Sequence, residues 1–221
     1  MKARPERLAA VVAGRDLHAL LISDLVNVRW LTGFTGTSAA AVVGEGVLRF
    51  VTDFRYLTQA ADQVGTAWER EISSDLLERV AEGLPDGGEP LRLGFDDAHL
   101  TVKQHARLGE LVPEGVELVA AGGILEELRA VKDAGELDAI RAAARLADEA
   151  LEDVLRGGLA GRTERDVALG IEIAMRRRGA EGASFPPIVA AGAHGALPHA
   201  ETRDVAIPTG TLVVVDWGAQ L

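Results

Sequence analysis

Pro208-Thr-Gly-Thr-Leu-Val-Val-Val-Asp-Trp-Gly-Ala-Gln-Leu221 is the stretch around which the chain is read. Leu212 to Val215 is an apolar run, mostly β-branched, and predicts a buried strand. Pro208 and Gly210 supply the turn before it. The strand delivers a carboxylate, Asp216, at its interior end. A charge there needs a cation, a metal or several N–H donors. Asp-x-Gly after a strand is also ordinary turn chemistry, and spacing alone leaves both readings open. Just upstream, Leu197-Pro-His-Ala-Glu201 brings His199 within reach of the same spot.

Moving outward, Gly182 to Gly192 predicts another strand, entered through Pro186-Pro187, which confines that end to a sheet edge or first residue. Before it, Thr163-Glu-Arg-Asp166 resembles a capping box with Asp in the Glu position. The helix it opens has a core stripe of Val167, Ile171, Ala174 and Met175. Arg176-Arg-Arg178 and Gly179 close it, the arginines reading as dipole compensation or as an anion patch. Leu137, Ile140, Ala144, Ala147, Leu151 and Val154 recur at helical spacing and predict a long amphipathic helix. Its other face carries Arg129/Asp133 and Arg145/Glu149 at i,i+4.

The first 123 residues have a different texture. Strands predicted at Ala19–Ile22, Ala39–Val43, Val47–Val51, Trp68–Ile72, Leu91–Phe95 and Glu117–Ala120 alternate with helices capped by Thr52, Ser74 and Thr101. Pro5 opens a first helix that stops at Gly14. Gly44-Glu-Gly46 marks a hairpin, and Leu84 to Pro90 reads as a loop. This is an α/β pattern, and Gly122-Gly123 is the best domain boundary. Leu31-Thr-Gly-Phe-Thr-Gly36 is a glycine loop but no dinucleotide or P-loop fingerprint.

The chain has 221 residues, a net charge of −11 and no cysteine. Acidity disfavours nucleic acid. Thiolate chemistry and cysteine-ligated metals are excluded, so any metal must be held by His, Asp and Glu. No run is long enough to span a membrane, and no signal peptide is evident; the chain reads as cytoplasmic. No G-x-S-x-G occurs, and Ser184 reads as structural. His194 and His199, five apart on one loop, are a weak zinc signal. Asp96-Asp97 fits a cation or a turn; His18, His99 and His105 read as ordinary histidines. Spacing leaves His199 and Asp216 as site candidates. A histidine beside a metal-binding carboxylate can shuttle a proton or donate to a developing oxyanion.

The ordered set of motifs carries a resemblance. Leu25 to Gly36 and Thr52-Asp-Phe-Arg-Tyr56 are similar to N-terminal signatures of the creatinase/aminopeptidase P family, which includes Xaa-Pro aminopeptidases and Xaa-Pro dipeptidases. Leu128 to Glu136 resembles its interdomain segment. Ala183 to Gly192, Leu197-Pro-His199 and Val213 to Ala219 resemble the opening of its catalytic domain. The resemblance implies a creatinase-like α/β N-terminal domain over 1–123 and a partial α+β pita-bread domain over 124–221. It implies a peptidase acting on peptides with proline at the second position, with two divalent ions (manganese, cobalt or zinc) held by two Asp, one His and two Glu, and a homodimer. Asp216 matches the first metal ligand. His199 matches the histidine that contacts substrate and stabilises the tetrahedral intermediate. The other ligands have no counterpart through Leu221, so the chain is expected to carry only part of the site and to be inactive alone. A creatinase-like amidinohydrolase, which works without metal, and a non-catalytic binding or assembly module are the rival readings.

Overall fold

In the computed structural model, which describes residues 3–85 and 90–221, the contacts divide the chain into two units, Met1–Val131 and Lys132–Leu221. The first is built on six strands: β1 (Ala19–Ile22), β2 (Ala39–Gly44), β3 (Val47–Thr52), β4 (Glu69–Ile72), β5 (Leu91–Phe95) and β6 (Val116–Ala120). Their spatial order is β4-β3-β2-β1-β5-β6. β2 runs antiparallel to β1 and β3, and the remaining pairs are parallel. The helices are α1 (Arg4–Gly14), α2 (Leu25–Thr32), α3 (Leu57–Gln63), α4 (Leu76–Glu82), α5 (Val102–Leu111) and α6 (Ile124–Ala130).

The central strands are apolar at successive positions because both faces of the sheet are covered. Leu20, Ile22, Ala41, Val43 and Phe50 pack with Leu8, Val12, Val28, Leu31, Ile124 and Leu125 of α1, α2 and α6. The alternate residues Leu21, Ala40, Val42, Val51 and Leu93 pack with Val80 of α4 and Leu108 of α5. The sequence closes this unit near Gly123, whereas the contacts carry it to Val131. The reason is α6: Ile124 and Leu125 enter the first core, and Arg129 donates to the buried Asn27 at 2.7 Å.

Several local expectations shift by a residue or two. Asp53, not Thr52, caps the short 3-10 turn before α3, and Asp75, not Ser74, caps α4. Leu31 and Thr32 extend α2 into the expected glycine loop, which begins at Gly33 with φ +81°. The loop expected over Leu84–Pro90 includes residues 86–89, which lie outside the described residues. Thr101 caps α5 as expected, with a complete capping box through Gln104.

The second unit contains α7 (Ala134–Arg156), α8 (Glu164–Arg177), β7 (Gly182–Ala183), β8 (Ile188–Ala191), β9 (Val213–Asp216) and β10 (Ala219–Gln220). β8 pairs antiparallel with β9, and β7 with β10. The core joins Ala147, Ala150 and Val154 of α7 to Val167, Ala168, Ile171 and Met175 of α8 and to Val189 of β8. Only the C-terminal half of the expected α7 stripe is therefore buried; Leu137 and Ile140 are exposed. Arg129 sits in α6 and Asp133 caps α7, so they do not share the expected helix face. Glu149 accepts from Arg178 at 2.6 Å instead of serving the expected Arg145 pair. Arg178 also pairs with Asp153, and Arg176 with Glu172. Two of the three arginines, Arg176 in the last helical turn and the C-cap Arg178, are thus engaged by carboxylates.

β9 corrects the expectation of a buried strand. Its residues alternate between half-buried and exposed, and Leu212 and Val214 are exposed. Among the described residues β9 is paired on one side only, with β8, and burial of a strand depends on distant partners that its own sequence does not specify.

Candidate functional site

In the second unit the turn that precedes His199 packs on β9, the strand that carries Asp216. β8 ends at Ala191, opposite Val213, and Asp216 stands opposite Ile188 at the far end of the same ladder. After β8 the chain makes a 3-10 turn, Gly192–Ala196, and folds back over β9. A Cβ on Gly195 would lie 3.0 Å from Cγ2 of Val214 and 3.1 Å from the Ala190 carbonyl oxygen, so the turn lies tight against this pair of strands. Side chains two apart on a strand share a face. The turn that leads to His199 therefore packs on the face of β9 that bears Val214 and Asp216.

His199 lies in the turn after Leu197 and is exposed, as is Asp216. Among the described residues neither side chain is engaged in a hydrogen bond or ion pair, and they are not bonded to each other. Trp217, next to Asp216, is fixed by donation from Nε1 to the Ala147 carbonyl at 2.9 Å. A cleft along α8, lined by Arg165, Leu169, Arg176, Phe185, Pro187 and Thr202, includes neither His199 nor Asp216.

The most constrained charge nearby is Glu164, a residue that its sequence position marks only as part of a helix N-terminus. Thr163 caps α8 by accepting from the Asp166 N–H at 3.0 Å. The N–H groups of Glu164 and Arg165 donate to the carbonyls of Val205 and Arg203, both at 3.2 Å. The first turn is thus satisfied by a cap and by a returning segment of the chain. The Glu164 side chain points inward and is fully buried. It accepts five N–H donors: Ala191 N at 2.9 Å, Arg203 N at 3.0 Å, Arg203 Nε at 3.0 Å, Arg203 Nη2 at 2.8 Å and His194 Nδ1 at 3.2 Å.

The Arg203 guanidinium beside Glu164 holds its carboxyl well below the usual carboxylate range, against the opposing effect of burial. An ionised carboxylate only accepts, so Nδ1 of His194 carries the hydrogen. The fixed tautomer leaves Nε2 as the acceptor nitrogen whenever the ring is neutral. The partners of Glu164 lie 27 to 39 residues further along the chain, so no local pattern could have revealed the cluster.

The other sequence candidates have structural roles. Asp96 accepts from the Ala98 N–H, which is turn chemistry, and Asp97 accepts from the Gly122 N–H, tying its loop to the end of β6. His18 accepts from the Arg92 N–H through Nδ1, and His105 packs on Phe95. The Ser184 N–H donates to the Gly218 carbonyl at 2.9 Å. Among the described residues no group of three or more His, Asp or Glu side chains is placed to hold a metal ion. The residues present therefore do not by themselves fit a two-metal centre. Among the same residues no helix is long and apolar enough to cross a membrane.

Comparison with known proteins gives the family. Residues 4–131 match the creatinase/prolidase N-terminal domain, and residues 138–221 match metallopeptidase family M24. The chain is 35% identical over 214 residues to the uncharacterized peptidase YqhT of Bacillus subtilis, covering 97% of this chain and 60% of that protein. It is 38% identical over 221 residues to an Xaa-Pro dipeptidase of Pyrococcus furiosus, covering 99% of this chain and 61% of that one. The solved structure of an Xaa-Pro dipeptidase from Bacillus anthracis superposes with a TM-score of 0.87 at 30% identity, over 97% of this chain and 60% of that chain. The chain spans about 60% of the length of the relatives it matches. It belongs to the creatinase/aminopeptidase P family, as a creatinase/prolidase N-terminal domain followed by the start of a pita-bread domain of metallopeptidase family M24.

Proposed function

We propose that this chain supplies part of the active site of a metal-dependent peptidase that hydrolyses the peptide bond preceding proline. The observation that carries the reading is the shared face of β9, where the turn leading to His199 packs on Val214 beside Asp216. On this reading Asp216 is a metal ligand. His199 contacts the substrate and donates to the oxygen on which charge develops, an effect that favours the transition state over the bound ground state. Both side chains are exposed and free of internal partners among the described residues, which suits groups that serve a ligand. A divalent ion such as manganese, cobalt or zinc, held in part by Asp216, would make water a usable nucleophile near neutral pH. One carboxylate does not hold two such ions, so these roles are those of a partial site.

The names of the relatives support peptides with proline at the second position as substrates. The test is release of proline from Ala-Pro, with Ala-Ala as control, by the complete gene product supplied with manganese, cobalt or zinc. Metal-dependent cleavage confined to Ala-Pro is expected, with His199→Ala lowering kcat/KM by about 100-fold or more. A complete gene product that ignores Ala-Pro with every metal would sink the proposal, and activity that survives chelation would point to the metal-free chemistry of creatinases.

A further inference from the structure

We propose that Glu164 is the positioning residue of the His199 segment: its buried carboxylate closes residues 191–203 into one loop and fixes where that loop carries His199. The significance of His199 rests on the proposed peptidase reading, whereas the closure of the loop does not.

The geometry is that of a clasp. Ala191 and Arg203 are the two ends of the segment, and both donate their backbone N–H to the same carboxylate, at 2.9 and 3.0 Å. His194 donates to it from inside the loop at 3.2 Å. The Arg203 guanidinium then engages both carboxylate oxygens, Nε on Oε2 and Nη2 on Oε1, in the bidentate form that fixes orientation as well as distance. Between the end of the 3-10 turn at Ala196 and Ala206 the chain forms neither strand nor helix. The loop therefore has no ladder of its own to fix its path. Its other anchors are the Gly192 N–H on the Leu212 carbonyl, Gly195 against Val214, the buried Ala200, and the carbonyls of Arg203 and Val205 on the first turn of α8.

A buried charge is a costly way to gain stability alone. Apolar residues of similar volume commonly serve as well or better, and the best-attested use of buried ionic groups is to specify one arrangement among several. The carboxylate also sits in the first turn of α8, where the helix dipole favours negative charge. Its acceptor capacity is filled by groups from three separate points of the segment, at residues 191, 194 and 203. A side chain that merely filled space would not impose that convergence.

The experiment is backbone hydrogen exchange and histidine NMR on the 221-residue chain, comparing wild type with Glu164→Ala, Glu164→Gln and Arg203→Ala. In Glu164→Ala the amides of residues 192–202 are expected to exchange about tenfold faster or more, as locally opened segments do. The β8–β9 ladder and α7 should keep their wild-type rates. The His199 imidazole resonances should move although His199 does not touch Glu164. Glu164→Gln, which keeps the shape and an acceptor oxygen, should restore part of the protection, and Arg203→Ala should reproduce part of the loss.

Unchanged exchange over 192–202 in Glu164→Ala and Arg203→Ala would overturn the proposal. So would acceleration spread evenly through α7, α8 and the ladder, the signature of a residue that only stabilises the unit. If Glu164→Ala does not fold, Arg203→Ala and His194→Ala carry the same comparison. None of these readouts uses peptidase activity. A clasp that loosens as expected in a protein whose complete gene product leaves Ala-Pro intact removes the proposed function and keeps the clasp. A gene product that cuts Ala-Pro while its loop is indifferent to Glu164 does the reverse.

Discussion

Glu71 in the first unit and Glu164 in the second are both buried carboxylates bound by arginine, yet they hold different kinds of structure. Glu71 lies on β4 and accepts from Arg49 of the adjacent β3, Nε on Oε1 at 2.7 Å and Nη2 on Oε2 at 3.2 Å. Arg79 of α4 pairs with it too, and Arg49 donates onward to the carbonyls of Arg79 and Val80 at 2.9 and 3.1 Å. Every partner stands on a helix or strand, and the backbone ladder already sets Val51 opposite Glu71. Glu164 instead collects groups from a segment without regular structure. The same chemistry reinforces a geometry fixed by other means in one place, and supplies the geometry in the other.

That contrast can be broken first at Glu71. Glu71→Ala leaves Arg49 buried with its charge unmatched and should destabilise the first unit by about 3–5 kcal/mol. Replacing the pair together, Arg49→Met with Glu71→Leu, should restore most of that, because the ladder does not need the charges. Calorimetry of the two variants tests this. A double variant as unstable as the single one would mean that the pair also sets the geometry of the sheet edge.

A smaller effect is expected from pH on the second unit. The folded-state pKa of Glu164 is depressed relative to the unfolded chain. Its contribution is therefore fully present above the unfolded carboxylate range, about pH 4.3. As pH falls below that range the unfolded chain takes up the proton first, and the contribution is lost as pH approaches the lower folded value. Urea midpoints followed by circular dichroism should separate wild type from Glu164→Gln at pH 6 and draw them together toward pH 3. A separation that does not change with pH would contradict an ionised Glu164.

The smallest effect sharpens the comparison from the other side. Asp24 caps α2 in the first unit and Thr163 caps α8 in the second, each through its side-chain oxygen. Alanine at either position should cost about 1 kcal/mol. A much larger loss for Thr163→Ala, measured by denaturant unfolding, would show that the start of α8 depends on the loop docked against it as well as on its cap.

What the sequence disclosed follows from how far each signal reaches along the chain. The strand Ala19–Ile22 and the cap at Thr101 were legible because apolar runs and capping boxes act over a few residues. Ser74 and Asp75 are both competent caps, and only the backbone path decides between them, so the expectation missed by one. The break between α6 and α7 was hidden because Arg129 and Asp133 have helical spacing; it is revealed by Asn27, about a hundred residues upstream, which draws Arg129 to the first unit. The exposure of β9 and the clasp at Glu164 were illegible for the same reason, since both depend on partners far away in sequence. Of the candidate site, the packing of the turn before His199 on β9 and the role of Glu164 were both hidden, because each joins residues far apart in sequence.

Trp217 has a further use. The chain has three tryptophans, Trp30, Trp68 and Trp217, and only the last belongs to the second unit. Its indole is tethered to the Ala147 carbonyl and follows Asp216 directly in sequence. With Trp30 and Trp68 replaced by phenylalanine, the protein would carry a single tryptophan, beside the carboxylate in question, and occupancy of that corner would become an optical signal without any attached dye.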